Sequence, residues 1–147
     1  MQRRNFLTLL LGVATSLLVV PLSALATVWK KAAFETTSLD VAIKSLDAID
    51  EIVSRDIQII APDKAENGAI VQVEIKSNIV NTESISILVE KNPTPLIAHF
   101  KFSNGAEPFV ITRIKMAETS DVKVLVKAGA QYFTNTKNVI VLENGCG

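Results

Sequence analysis

The sequence predicts an all-β domain, an immunoglobulin-like antiparallel β-sandwich preceded by one N-terminal amphipathic helix. Three observations carry that expectation. A single stretch, Ser38 to Ser54, spaces its apolar residues as a helix does; from Ile57 onward they alternate; and turn residues separate the alternating runs at short intervals. The 147 residues fit one domain. With 20% charged and 48% apolar residues, the chain is globular rather than disordered.

The first 26 residues read as an address rather than as fold. Arg3-Arg4 precedes Asn5-Phe6-Leu7, and an uncharged stretch then runs to Trp29. Pro21 ends any helix there, because it lacks an N–H and its ring clashes with the preceding turn. Ala24-Leu25-Ala26 is the small-x-small pattern that a signal peptidase accepts. Basic, apolar and small residues in this order predict a twin-arginine-type signal, a periplasmic location and no stable membrane association after cleavage. The uncharged run is also long enough to cross a bilayer, so a retained anchor is the other reading. Cleavage would remove two of the fifteen basic residues and none of the fifteen acidic ones, leaving a domain of residues 27–147 with net charge −2.

The helix is expected over residues 38–54. Leu39, Ile43, Leu46, Ile49 and Val53 hold one face, Thr37 can cap the start with Asp40 completing a capping-box-like pattern, and Asp47, Asp50 and Glu51 face solvent.

The sandwich is expected over residues 57–142. Val71, Val73 and Ile75 alternate with Gln72, Glu74 and Lys76, and Ile85, Ile87 and Val89 repeat the pattern. Further runs are 99–102, 109–116, 122–127, 131–134 and 138–142. Pro62-Asp63, Asn67-Gly68, Asn81-Thr82, Asn92-Pro93, Asn104-Gly105 and Ala128-Gly129 supply turns between strands.

The composition excludes several chemistries. Fifteen basic and fifteen acidic residues cancel, which argues against a nucleic-acid partner. One His and one Cys are too few for a Cys/His zinc site or a disulfide framework, and any Ser-His-Asp triad would have to use His99. No cofactor or metal site is expected, nor activity of the chain's own. His99 in Ile97-Ala-His-Phe100 reads as a satisfied strand residue. Arg113 and Lys115 read as a solvated face, Lys91 to Pro95 as a rigid loop, and Trp29 and Phe34 as docking the start of the mature chain.

One residue stands apart. Residues 143–147 form a tail in which Gly145 and Gly147 flank Cys146. An unpaired Cys in an exported chain points to intermolecular pairing or a reactive thiol. Glycines on both sides make a thin, mobile tether that can enter a narrow pocket on another protein. Glu143 and a terminal carboxylate would raise the thiol pKa, so the thiol reads as a carried group that partner enzymes activate.

The ending resembles the SoxY family, the sulfur-carrier subunit of the thiosulfate-oxidising (Sox) system, whose chains end in Gly-Gly-Cys-Gly-Gly. Further segments resemble the family in order: 65–73, 88–93, 105–109, 112–116 and 125–129. Two departures sit at the tail. Asn144 replaces the first Gly and the final Gly is absent, while Glu143 stands where an apolar residue is usual. The tether is therefore stiffer before the sulfur, shorter beyond it, and more negative.

The resemblance implies a covalent carrier that catalyses nothing itself, with Cys146 as the attachment residue and Asn144, Gly145 and Gly147 as its tether. A c-type cytochrome, SoxAX, would join thiosulfate oxidatively to the thiol. A manganese-dependent hydrolase, SoxB, would release sulfate and leave a persulfide. Where present, a sulfur dehydrogenase, SoxCD, would oxidise that outer sulfur. A second sandwich protein, SoxZ, would form a heterodimer with the chain. From the residues alone, an exported immunoglobulin-like interaction domain and a thiol redox sensor remain open beside the carrier.

Overall fold

The computed structural model describes residues 30–143. The expected signal (1–26) and tail residues 144–147 lie outside the described residues. Among the described residues two helices, α1 (Lys31–Glu35) and α2 (Leu39–Ser45), come first. Nine strands follow: β1 (Glu51–Val53), β2 (Ile57–Ile60), β3 (Lys64–Asn67), β4 (Val71–Ser77), β5 (Thr82–Val89), β6 (Leu96–Lys101), β7 (Phe109–Ile114), β8 (Ser120–Ala128) and β9 (Gln131–Glu143). The larger sheet has the order β1-β9-β8-β5-β6, with β3 also paired to β9, and the smaller sheet has the order β2-β4-β7. The predicted immunoglobulin-like sandwich is the fold observed.

Alternation builds the core. In β4, Val71, Val73, Ile75 and Ser77 are buried, while Gln72, Glu74 and Lys76 lie on the other face. These residues meet Ile85, Ile87, Val89, Val122, Val124 and Val126 from the larger sheet, with Ile57, Val110, Ile114 and Met116 closing the layer. Each enclosed Ile or Met contributes about 1.5–3 kcal/mol by leaving water. β5 is buried on both faces because the helices cover its other side. There Leu88, Leu96 and Leu125 pack against Ala33, Ala42, Leu46 and Ala48.

The helix of residues 38–54 is a correction: α2 stops at Ser45 and residues 51–53 are strand. Asp47 takes the left-handed conformation (φ 65°). The Ala48 N–H donates to the Ile43 carbonyl (3.1 Å) and the Asp47 N–H to the Lys44 carbonyl (2.9 Å), which together make a Schellman stop. Gly usually fills that position; here Asp47 does, its carboxylate held 2.8 Å from the Lys30 ammonium. Beyond the stop, Ile49 and Val53 are 71% and 78% exposed rather than on a buried helix face. The N-cap is Ser38 without a side-chain capping bond, not Thr37. α1 was not anticipated.

β1 instead pairs in parallel with β9 through Glu51, Ile52 and Val53. The chain then crosses to the smaller sheet as β2 and returns to the same strand as β3, pairing Lys64 with Ile140 and Asn67 with Glu143. The separate runs expected at 131–134 and 138–142 are one 13-residue strand, β9. Its polar middle, Asn135 to Asn138, interrupts the apolar pattern without breaking the strand. Asn135 Nδ2 donates to the Ile57 carbonyl (2.7 Å), and Asn138 Nδ2 donates to Asp121 Oδ1 (2.7 Å). The β8–β9 hairpin turns through Gly129-Ala130, with Gly129 at φ 61°, where a two-residue hairpin favours glycine.

Candidate functional site: the anchored end of the last strand

Tail residues Asn144, Gly145, Cys146 and Gly147 lie outside the described residues, so the structure supplies the point from which they depart. That point is Glu143, the last residue of β9. Along one edge the last described residues of β9 pair with β3, which was not anticipated as a strand. The Gly68 N–H donates to the Glu143 carbonyl (2.9 Å), and the Ile140 N–H donates to the Asp63 carbonyl (3.0 Å). On the opposite side Thr119 Oγ1 accepts from the Val141 N–H (2.9 Å) and lies 3.4 Å from the Val141 carbonyl. Pairing with β8 itself ends at Val139, so Thr119 carries the support beyond the ladder.

The clamp is itself braced. Asn67 Oδ1 accepts from the Ala69 N–H (2.7 Å), a local turn that fixes the position of Gly68. The Gly68 carbonyl accepts from the Met116 N–H (2.8 Å), tying this turn to the segment between β7 and β8. Met116 is fully buried, so the brace is rooted in the core. Outward of the clamp, Ile140 and Leu142 are 39% and 63% exposed. Lys137 bonds the Asp63 carboxylate, and that hydrogen bond, with the charge behind it, holds the Asp63 pKa below the usual carboxylate range. Asn67-Gly68 was legible as a turn. That its N–H holds the root of the tail was not, because the pairing spans 75 residues of sequence.

The other candidates fall elsewhere. His99 sits on β6, half-buried, with Nδ1 2.8 Å from the Ser86 hydroxyl. Burial first, then the charges of Lys101 and Lys30, push its pKa below the ordinary value. Arg113 lies exposed on β7 opposite Gln72, and Lys115 is exposed just past the strand. In the loop of residues 91–95, Asn92 is buried, donating to the Lys115 carbonyl (2.7 Å) and accepting from the Ala117 N–H (2.8 Å). That loop is therefore fastened to the β7–β8 connection. Phe34 packs against the helix-side cluster, and Trp29 lies outside the described residues. Among the described residues no three His, Cys, Asp or Glu side chains come together as a metal site. No described helix is long and apolar enough to cross a membrane.

A family model described as "Sulfur oxidation protein SoxY" matches residues 43–146. Among solved structures, the sulfur carrier protein SoxY from Chlorobium limicola f thiosulfatophilum is 35% identical with a TM-score of 0.62, covering 71% of this chain and 96% of that one. A chain from the structure describing T cell specificity and activation by the bacterial superantigen toxic shock syndrome toxin-1 aligns at 13% identity. Its TM-score is 0.40 over 58% of this chain and 99% of that one, too low to carry an argument. No curated protein matches the chain.

Proposed function

The chain belongs to the SoxY family of sulfur oxidation proteins, and from that premise we propose that it is a periplasmic sulfur carrier of thiosulfate oxidation that holds its cargo on Cys146. The observation that carries this reading is the extent of the family match, which runs to residue 146 and so takes in the single cysteine of the chain. The clamp at Glu143 supports it. Cys146 lies three residues beyond Glu143, a span of at most about 11 Å, so the sulfur would move within a short radius of a fixed root.

The chemistry is a relay. The Cys146 thiol and thiosulfate join through a new S–S bond, releasing one proton and two electrons to a c-type cytochrome, SoxAX. Water then attacks the terminal sulfonate sulfur of this adduct in the hydrolase SoxB. The S–S bond to that sulfonate breaks, sulfate and two protons leave, and a persulfide anion stays on Cys146. Where SoxCD is present, it oxidises the outer sulfur before a second hydrolysis. This chain contributes the covalent bond and the delivery, and its own residues catalyse no step. A SoxZ-like subunit completes the carrier as a heterodimer.

The test is Cys146→Ala in the system reconstituted with its partners. Thiosulfate-dependent cytochrome reduction is expected to vanish while the thermal midpoint stays that of the native chain. Retained turnover in that variant would sink the proposal.

A further inference from the structure

At the end of the sandwich remote from the clamp, a cavity of about 390 Å³ opens between α2, β6 and the β8–β9 hairpin. Tyr132, on its wall, and Glu143 lie at opposite ends of β9, up to roughly 36 Å apart at strand rise. Three ammonium groups line the cavity: Lys30, Lys101 and Lys127. Lys30 is 2.8 Å from the Asp47 carboxylate and Lys127 is 2.8 Å from that of Glu83. Both carboxylates are well exposed, at 80% and 51%, so water screens them and they can swing aside. Lys101 has no carboxylate partner among the described residues. The Tyr132 hydroxyl donates to the Leu46 carbonyl (2.5 Å), so it is a fixed part of the wall.

His99 also faces this cavity. In the tautomer in which Nδ1 accepts from the Ser86 hydroxyl, the neutral ring carries its one proton on Nε2 and has a further donor to offer. Burial first, and then the charges of Lys101 and Lys30, lower the pKa of the ring, so the field of both ammonium groups reaches it. Counting Asp47 and Glu83 against the three lysines still leaves one positive charge. A concave site with several N–H donors, one of them an unneutralised ammonium, suits a compact, multiply charged acceptor.

We propose that this cavity binds a tetrahedral inorganic dianion, of the class of sulfate, thiosulfate and hydrogen phosphate, with Lys101 as its principal contact and Lys30, Lys127 and His99 around it. The site is separate from the sulfur-carrying tail and does not rest on the carrier reading.

The test is a titration of the signal-cleaved protein followed by ¹⁵N–¹H spectra at constant ionic strength. Sulfate, thiosulfate and inorganic phosphate are added in turn, with sodium chloride as the control. A Cys146→Ala background keeps thiosulfate from forming an adduct. Each dianion is expected to give saturable shifts at the Lys101 and Gly129 amides and the His99 ring, and Lys101→Ala to weaken sulfate affinity about tenfold. Lys101 lies exposed at the end of its strand, so this variant keeps the native thermal midpoint. Shifts no larger than those from chloride, or an affinity unchanged by Lys101→Ala, would overturn the proposal. Saturation by thiosulfate alone would overturn the ligand class assigned.

Discussion

The two ends of the sandwich are built by opposite means. Around Glu143 the structure invests in backbone: β3 pairing, the Gly68 N–H on the Glu143 carbonyl, Thr119 on Val141, and a brace into buried Met116. At the other end it gathers side chains, with three lysines, His99 and Tyr132 around a cavity beside Leu46 and Asp47 at the stop of α2. The cavity lined by these titratable groups is therefore not at the end where the described chain leaves β9. On the carrier reading proposed above, the difference teaches that the delivery end is prepared by how firmly the chain is held at Glu143, whereas polar side chains line the cavity proposed for reversible binding.

The largest effect that separates the ends is the complete loss of thiosulfate turnover expected of Cys146→Ala. Next come the two packing layers. Ile87 is fully buried between the sheets, whereas Leu46 is buried in the thin layer under the helices. Ile87→Ala is expected to cost about 4 kcal/mol and Leu46→Ala about 2–3 kcal/mol, because the thinner layer can collapse onto the gap. Chemical denaturation of both variants checks this, and equal losses would erase the distinction between core and cover.

A smaller effect tests the clamp itself. Thr119→Val removes the acceptor of the Val141 N–H and leaves that amide short by about 1.5 kcal/mol, roughly a tenfold faster hydrogen exchange. The acceleration should be confined to residues 140–143 and Gly68. Spread of the effect to the helix end would mean that the ends are not independent.

The smallest effect lies in the pH response of the far end. The pKa of His99 is lowered in the fold from its ordinary value of 6.5, first by burial and then by Lys101 and Lys30. Between the folded and unfolded values the unfolded chain binds more protons, so stability is complete above pH 6.5 and declines as pH falls through that window. Thermal midpoints measured across it should decline in the native chain and flatten in His99→Gln. An identical decline in both would remove His99 from the account.

The parts of the fold that were legible are those where one residue's environment repeats every second position. β4 reads directly because its buried and solvated faces alternate without exception from Val71 to Lys76. α2 was overrun because Leu46, Ile49 and Val53 continue a helical spacing, and because its stop is written with Asp47 rather than Gly. Only the Lys30 ion pair and the Ile43 and Lys44 carbonyls show the break. β1 and β3 were unreadable for another reason. They are short edge segments whose identity comes from β9, which pairs Glu51 with Tyr132 and Asn67 with Glu143. At the candidate site the same division holds. Cys146 is proposed from its residue type and its neighbours and lies outside the described residues, while Gly68 and Thr119 hold Glu143 and Val141 through contacts that no local pattern records.

The most direct test of the carrier account is intact mass spectrometry of residues 27–147 under non-reducing conditions, before and after thiosulfate with the proposed c-type cytochrome partner. The account predicts a thiosulfonate adduct that maps to Cys146 and is removed by reductant. An unmodified Cys146 after incubation with a cytochrome that loads another member of the family would contradict it.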